Sequence, residues 1–323
     1  MKKRYLAILL LIISILGGCQ NSSNKFFSYK DYISSAKIDL GVELSENDFF
    51  AENIVVPSED DNNADNDLVS SEAAFLSDVT NNRILYSKNP YDRLYPASLT
   101  KLMTALVVLK RGELTDSVTV SYNASHIPVA GAKLCGFEEG DVLTLNSLLH
   151  CLLIYSGNDA GIAIAEHMSG SEEAFVKLMN SEAKKIGASH TNFVNSHGLH
   201  DDNHYTTAYD MYLIFNELIS HDAFINIVSQ NSYIADYKDK DKNDKQLSFN
   251  STNLYLREEK EAPEGISVIG GKTGVTYKAG NCLILLSKNS ETSQYISIIL
   301  KANDIDSLYT DMSQLLSLIN EEE

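Results

Sequence analysis

The most informative stretch of this sequence is YPASLTKLMTAL, residues 95–106. Its apolar side chains recur at the spacing of an amphipathic helix, which we expect to reach Leu109 and to stop at Gly112. Ser98 and Lys101 then share one face of the first turn, so the lysine amine can reach the serine hydroxyl. A lysine that burial keeps neutral can remove the serine proton. The spacing therefore indicates a nucleophile and its base, although this pair alone is common by chance.

Two further short motifs follow. Ser156-Gly157-Asn158 falls between two predicted helices, where a loop can present a hydroxyl and an amide to a cleft. Lys272-Thr273-Gly274 ends a predicted strand, where a cation and a hydroxyl suit a carboxylate and glycine lets a peptide backbone approach. Taken singly, each is explained as well by a helix cap or a strand-terminal turn. Together, the three motifs occur once and in the order found in class A β-lactamases and penicillin-binding proteins.

Strand-like segments occur at both ends of the folded part, and helix-like segments lie between them. We predict a hairpin at 73–89 and strands at 266–271, 281–289 and 295–302. The expected fold is α+β, with one antiparallel sheet flanked by helices and an all-helical subdomain inserted at about 112–250. Predicted helices begin near Thr144, Asn158, Ser171 and Thr206, and a last one covers 304–320.

The charge-alternating stretch 238–245, KDKDKNDK, is predicted to be an exposed loop. About fifty residues follow Lys272, which we expect to hold two strands and one helix without a further C-terminal domain.

The sequence resembles the low-molecular-mass penicillin-binding proteins of peptidase family S11, the serine-type D-alanyl-D-alanine carboxypeptidases. Besides the first motif, the resemblance rests on LLIYSGNDA (152–160), TNFVNSHGL (191–199) and GGKTGVT (270–276), and it covers roughly residues 70–302. It implies the fold of the β-lactamases and penicillin-binding proteins. The implied substrates are peptidoglycan stem peptides ending in D-Ala-D-Ala, and β-lactam antibiotics would acylate the same serine. No cofactor and no metal are implied.

The resemblance also assigns the chemistry of acyl transfer. Ser98 would attack the carbonyl between the two D-alanines, and Lys101 would be its general base. The backbone N–H groups of Ser98 and Val275 would form the oxyanion hole, where each donor contributes roughly 2.7–4 kcal/mol in other serine hydrolases.

The remaining motif residues would bind the substrate and its leaving group. Ser156 would relay a proton to the leaving amine, and Asn158 would hold the substrate's peptide. Lys272 would act electrostatically on Ser156. Thr273 would bind the terminal carboxylate beside Gly274.

Three alternative functions share some of these sequence features. A class A β-lactamase relies on a glutamate between the second and third motifs, and here no Glu lies between Glu182 and Glu217. A non-catalytic penicillin-binding sensor module would not need all three motifs intact. A metal site was considered because several potential ligands lie close together, but their spacing fits no zinc signature. These candidate ligands are His197, His200, Asp201, Asp202 and His204.

The N-terminal end is typical of an exported lipoprotein. A basic start precedes an apolar run at 5–16, and Gly17-Gly18-Cys19 follows. We predict a signal peptide at 1–18, lipidation of Cys19, a mostly disordered acidic tether at 19–67 and a catalytic domain at 68–323. The lipid would hold the protein on the outer face of the bacterial cytoplasmic membrane.

Charge and cysteine content limit the remaining possibilities. The net charge of −18 excludes simple electrostatic binding of nucleic acid. Only Cys135, Cys151 and Cys282 remain after Cys19, so at most one internal disulfide can form, and we expect buried thiols.

Overall fold

Strands from the two ends of the folded part meet in one antiparallel sheet, as predicted. The structure is a computed structural model that describes residues 54–57 and 68–322. The predicted signal segment, Cys19 and most of the predicted tether lie outside these ranges. The strands of the described residues are β1 (Ala73–Asp78), β2 (Arg83–Lys88), β3 (Ser117–Thr119), β4 (Val142–Thr144), β5 (Ser232–Lys238), β6 (Asp244–Asn250), β7 (Ser267–Thr276), β8 (Gly280–Lys288) and β9 (Gln294–Ala302).

The helices lie mostly between β2 and β5. None of those in the described ranges combines the length and hydrophobicity that a membrane crossing requires. The α-helices of the described residues are α1 (Thr100–Arg111), α2 (Tyr122–Ser125), α3 (Leu145–His150), α4 (Asn158–Ser169), α5 (Glu172–Lys185), α6 (Ala208–Leu218), α7 (Asp222–Val228) and α8 (Ile305–Ser317).

The main sheet has the order β2-β1-β9-β8-β7 and is buried on both faces. On β8, Ile284 and Leu286 join the large core formed with the helices, while Leu283 and Leu285 join a second core with α8. Because successive side chains point to opposite faces, burial of both faces explains the unbroken apolar run in this strand. Strand β7 pairs only with β8, so it forms one edge of the sheet.

The inserted region is not all-helical, which corrects that part of the prediction. Its four short strands form a second antiparallel sheet in the order β3-β4-β5-β6. The predicted exposed loop at 238–245 contains a hairpin turn, in which Lys238 pairs with Asp244. Strands β3 and β4 have only three residues each, too few to show a clear alternation. In β5, the alternation of Tyr233, Ala235 and Tyr237 leads directly into the charged stretch 238–245.

Part of the predicted tether packs on the domain. In the segment 54–57, Val55 is buried against the large core, and its N–H donates to the Tyr212 hydroxyl at 3.4 Å. The Tyr91 hydroxyl donates to the Pro57 carbonyl at 2.9 Å. Three apolar residues in a row, Ile54 to Val56, interrupt the acidic composition here and supply the contact.

Candidate active site

Ser98 lies on a tight turn that leads into α1. Residues Ala97–Leu99 form a single 3-10 turn, and Ala97 has a left-handed backbone with φ of 47°. A side chain at Gly274 of β7 would come within 3.0 Å of the Ser98 backbone nitrogen. The glycine therefore lets the edge strand lie directly against the nucleophile turn.

Lys101 lies one turn further along the helix and is fully buried. Its Nζ is 3.0 Å from Ser98 Oγ, 2.7 Å from Asn158 Oδ1 and 2.5 Å from the His197 carbonyl oxygen. These three oxygens match the three N–H groups of an ammonium. None of them carries a formal charge, so among the described residues no carboxylate accepts a hydrogen bond from this amine.

This environment changes the proton affinity of the amine. Burial, the largest cause, lowers the pKa of Lys101 from 10.5 to about 7. The nearby Cys135 and Asp159 oppose the change, and the charge of Lys133 adds to it. A large fraction of Lys101 is therefore neutral near pH 7 and able to accept the serine proton.

Ser156 ends a π-helical turn, Cys151–Tyr155, in a left-handed conformation with φ of 73°. Its hydroxyl is buried and has no hydrogen-bond partner among the described residues. A non-glycine residue held in this region costs of order 1–3 kcal/mol and is frequent at functional sites. The Ser156 hydroxyl, buried on a strained backbone and without a partner among the described residues, is available to form a hydrogen bond with a ligand.

Two contacts hold the second motif in place. A Cβ at Gly157 would meet the Cys135 sulfur at 2.1 Å, so only glycine fits between Ser156 and Asn158. The Asp159 carboxylate accepts the N–H groups of Cys135 and Gly136, each at 2.9 Å. The motif is thereby tied to the loop that precedes β4.

The third motif forms the opposite wall on β7. Lys272 is buried, and its Nζ donates to the Thr273 carbonyl oxygen at 3.1 Å. Burial, and then the charges of Lys101 and Lys133, lower its pKa well below the ordinary value. The Thr273 hydroxyl donates to the Thr252 hydroxyl at 2.6 Å. Val275 is exposed beside this pair.

These elements enclose a cavity of about 510 Å³. The structure brings six of the predicted residues to its wall, and Lys101 and Lys272 lie behind it. The six are Ser98, Ser156, Asn158, Thr273, Gly274 and Val275.

The lining residues to which the sequence gave no role include Lys133, Gly198 and Thr252. Gly198 has φ of +88°, and a Cβ there would come within 1.9 Å of the Ala97 carbonyl oxygen. This close approach explains why the stretch 191–199 has a glycine at this position. For Thr252, only the family-like residues around it could have indicated a place in the site. For Lys133, nothing in the nearby sequence indicates one.

The histidines that the sequence offered as metal ligands form other contacts within the protein. His197 Nδ1 accepts the Leu199 N–H at 3.1 Å, and burial lowers its pKa to about 3. His204 Nε2 is 2.8 Å from the Thr100 hydroxyl, and burial lowers its pKa to about 4. His200 pairs with an exposed Asp202. Across the described ranges, no three potential ligand side chains converge as a metal site would require.

Solved structures of similar shape place this architecture in a known class. The DD-transpeptidase of Streptomyces K15 superposes with a TM-score of 0.72 at 25% identity, covering 77% of this chain and 97% of that one. Penicillin-binding protein 5 of Haemophilus influenzae gives 0.67 at 29% identity, covering 81% and 72%. The fold is that of DD-peptidases and penicillin-binding proteins.

The sequence comparisons define the family. The peptidase S11 family, described as D-alanyl-D-alanine carboxypeptidase, matches residues 60–304, and this chain belongs to it. The D-alanyl-D-alanine carboxypeptidase DacF of Bacillus subtilis is 35% identical over 68% of this chain and 54% of its own length. DacC of Escherichia coli is 34% identical over 77% and 61%. The chain thus spans little more than half the length of these curated relatives.

Proposed function

We propose that this protein is a serine D-alanyl-D-alanine carboxypeptidase that removes the terminal D-alanine from peptidoglycan stem pentapeptides. The observation that carries the proposal is the pair of Ser98 and Lys101, whose Oγ and Nζ are 3.0 Å apart. The lysine is buried without a carboxylate partner and has its pKa lowered to about 7. Such a lysine is a competent general base for a serine nucleophile.

Acylation begins with neutral Lys101. Two of its N–H groups donate to Asn158 Oδ1 and the His197 carbonyl, and its lone pair faces the Ser98 hydroxyl. As Ser98 Oγ attacks the carbonyl carbon between the two D-alanines, its proton passes to Lys101. The resulting ammonium has three N–H groups for the same three oxygens, so no rearrangement is needed. The N–H groups of Ser98 and Val275 bind the oxyanion.

Breakdown of this intermediate needs a proton for the leaving amine. Ser156 is suited to deliver it, since its hydroxyl lines the cavity and has no other partner among the described residues. The C–N bond breaks, D-alanine leaves and an ester on Ser98 remains. Ser156 recovers its proton from the Lys101 ammonium, so Lys101 is neutral again before hydrolysis. Water then attacks the ester carbonyl, neutral Lys101 accepts a proton of the water, and that proton passes to Ser98 Oγ as the ester C–O bond breaks and the shortened peptide leaves as its acid. Lys272 adds positive potential behind this path when it is protonated.

The same serine reacts with β-lactams, because their strained amide presents a carbonyl and a carboxylate in a similar relation.

The substrate lies outside the cytoplasmic membrane, which agrees with the exported form proposed for this chain. We place its anchor at Cys19, lipidated after removal of residues 1–18, on the outer face of the cytoplasmic membrane. Mass spectrometry of the mature N-terminus tests this, and an unmodified Cys19 would contradict it.

The decisive experiment compares the wild-type protein with Ser98→Ala. We expect the wild type to release D-alanine from a pentapeptide ending in D-Ala-D-Ala and to be labelled covalently by fluorescent penicillin. Ser98→Ala should lose both, a drop of at least about 10³-fold. Labelling that persists in the variant would exclude Ser98 as nucleophile. Penicillin labelling without D-alanine release would favour a sensor, and rapid turnover of nitrocefin would favour a β-lactamase.

A further inference from the structure

The cations that face the cavity are not the ones that the motifs supply. The sequence suggests that Lys101 and Lys272 attract the substrate carboxylate. In the structure these two side chains are 0% and 1% exposed and lie behind the cavity wall. Burial lowers the pKa of both, which disfavours their charged forms. Neither ammonium is therefore placed to contact a carboxylate in the cavity directly.

Lys133 is a cation that is so placed. It is exposed and lines the cavity, and its carbonyl oxygen accepts the Asn158 N–H at 2.8 Å. Partial burial lowers its pKa, but the side chain reaches solvent. Within the described part of the chain, no carboxylate oxygen lies within 4.0 Å of its Nζ. The protein has 44 acidic residues against 26 basic ones, so most lysines can find a carboxylate partner. Among the described residues, Lys133 lines the cavity without one.

The position of the ammonium indicates which part of the cavity it serves. Its Nζ stands 4.2 Å from the centroid of the Tyr155 ring, and this contact leaves N–H groups free. The carbonyl oxygen of the preceding Ile154 accepts the Thr252 N–H at 3.2 Å. Thr252 in turn pairs with the Thr273 hydroxyl at 2.6 Å. Lys133, Thr252 and Thr273 all line the same cavity, and Lys133 is close enough for its charge to act on Lys272, the residue next to Thr273.

We propose that Lys133 is a specificity-determining residue that binds the C-terminal carboxylate of the stem peptide together with Thr273 and Thr252. This assignment rests on the proposed carboxypeptidase function and deepens it. A carboxylate on the third residue of the stem peptide has the same chemistry, so the experiment separates the two sources. The ammonium contributes charge-assisted hydrogen bonding at a partly exposed position, where such contacts have moderate strength.

The test is a cycle of Lys133→Gln against modified peptides. The full-length protein is assayed with a peptide ending in D-Ala-D-Ala, with its C-terminal D-alaninamide analogue and with an analogue whose third residue is amidated. Lys133→Gln should lower kcat/KM on the first peptide about tenfold, mainly through KM. On the alaninamide analogue the variant and the wild type should differ less than twofold. Lys133→Arg should keep most of the activity.

The matched control is Lys184→Gln, since Lys184 is an exposed lysine of α5 that does not line the cavity. It should behave as wild type on all three peptides, and thermal unfolding should show that both glutamine variants are folded. Equal activity of Lys133→Gln and wild type on the acid peptide would overturn the assignment. So would a defect that disappears only with the amidated third residue, which would assign the lysine to that carboxylate instead. If the wild type releases no D-alanine and binds no penicillin, the proposed function itself fails.

Discussion

The two ends of helix α1 hold two lysines in opposite surroundings. Lys101, in the first turn, meets three uncharged oxygens and has its pKa lowered to about 7 by burial. Lys110, in the last turns, lies 3.0 Å from Glu182 and 2.6 Å from Glu217. Burial opposes its charge too, but the bonds and charges of Glu217 and Glu182 outweigh burial and raise the pKa of Lys110.

The difference shows what turns a lysine into a base. Both side chains lie on the same helix, but Lys101 is fully buried while Lys110 keeps 24% of its side chain exposed, so the two lysines differ both in burial and in their partners. A carboxylate partner fixes the proton on Lys110, and its absence around Lys101 leaves the proton exchangeable near neutral pH. The chain has 44 acidic residues, yet among the described residues none of their carboxylates is hydrogen-bonded to Lys101, and the nearby Asp159 acts on it only through its charge.

The largest expected effect comes from removing the base. In Lys101→Met the thioether keeps the length of the side chain but cannot accept the proton of Ser98. We expect acylation by penicillin to slow by about 10³-fold, within the range for general bases. The Asn158 amide oxygen and the His197 carbonyl lose their hydrogen-bond donor, so the free energy of unfolding should also fall by about 1–3 kcal/mol. Stopped-flow acylation and chemical denaturation measure the two effects, and a rate within tenfold of wild type would exclude Lys101 as base.

A second variant gives Lys101 the surroundings of Lys110. Asn158→Asp places a carboxylate about where Oδ1 lies 2.7 Å from Nζ. An opposite charge at this distance raises a lysine pKa by about 1–3 units. Acylation should fall at least about tenfold at pH 7 and recover as the pH rises toward 9.

The control for this variant is Asn158→Ala, which loses the substrate contact without adding charge. Its acylation should be slow at every pH, with the acidic limb of the profile left in place. A profile of Asn158→Asp that coincides with that of Asn158→Ala would show that the lysine does not respond to a neighbouring carboxylate.

Sequence reasoning succeeded where chemistry is local. Gly157 and Gly274 were found as members of short motifs, although the close approaches that explain them involve residues distant in sequence. Ser98 and Lys101 are joined by helix geometry. Spacing and residue type suffice for such features. The apolar run of β8 was equally readable, because burial of both sheet faces leaves no polar alternation to mislead.

Features that depend on contacts between distant parts of the sequence could not be predicted. Lys133 enters the cavity only because its loop is tied to Asp159, and Thr252 matters only through its bond to Thr273. The hairpin of β5 and β6 was hidden by charges that face solvent. Val55 was assigned to the tether because a short apolar segment in an acidic stretch does not reveal its docking surface.

The pH dependence of the wild type tests the comparison without mutation. The base must be neutral, so kcat/KM should fall about tenfold per unit as the pH drops below the pKa of Lys101, about 7. Measuring acylation by penicillin between pH 5 and 9 gives the profile. A rate of acylation that stays constant from pH 5 to 9 would contradict a base that titrates in this range.

The smallest effect is expected at Lys110, where the lysine is a structural cation. Lys110→Met removes one of three cations around Glu182, which keeps Arg111 at 3.2 Å and Lys185 at 3.3 Å. The loss in unfolding free energy should be about 1 kcal/mol, or about 2 °C in Tm, with acylation unchanged. Because the folded pKa of Lys110 is raised, this contribution is fully present below pH 10.5 and disappears as the pH rises through the folded pKa. The difference in unfolding free energy between wild type and variant should therefore be constant from pH 6 to 9 and shrink only in stronger alkali. A difference that grows with pH would mean that Lys110 behaves like Lys101, and the distinction between the two ends of the helix would be lost.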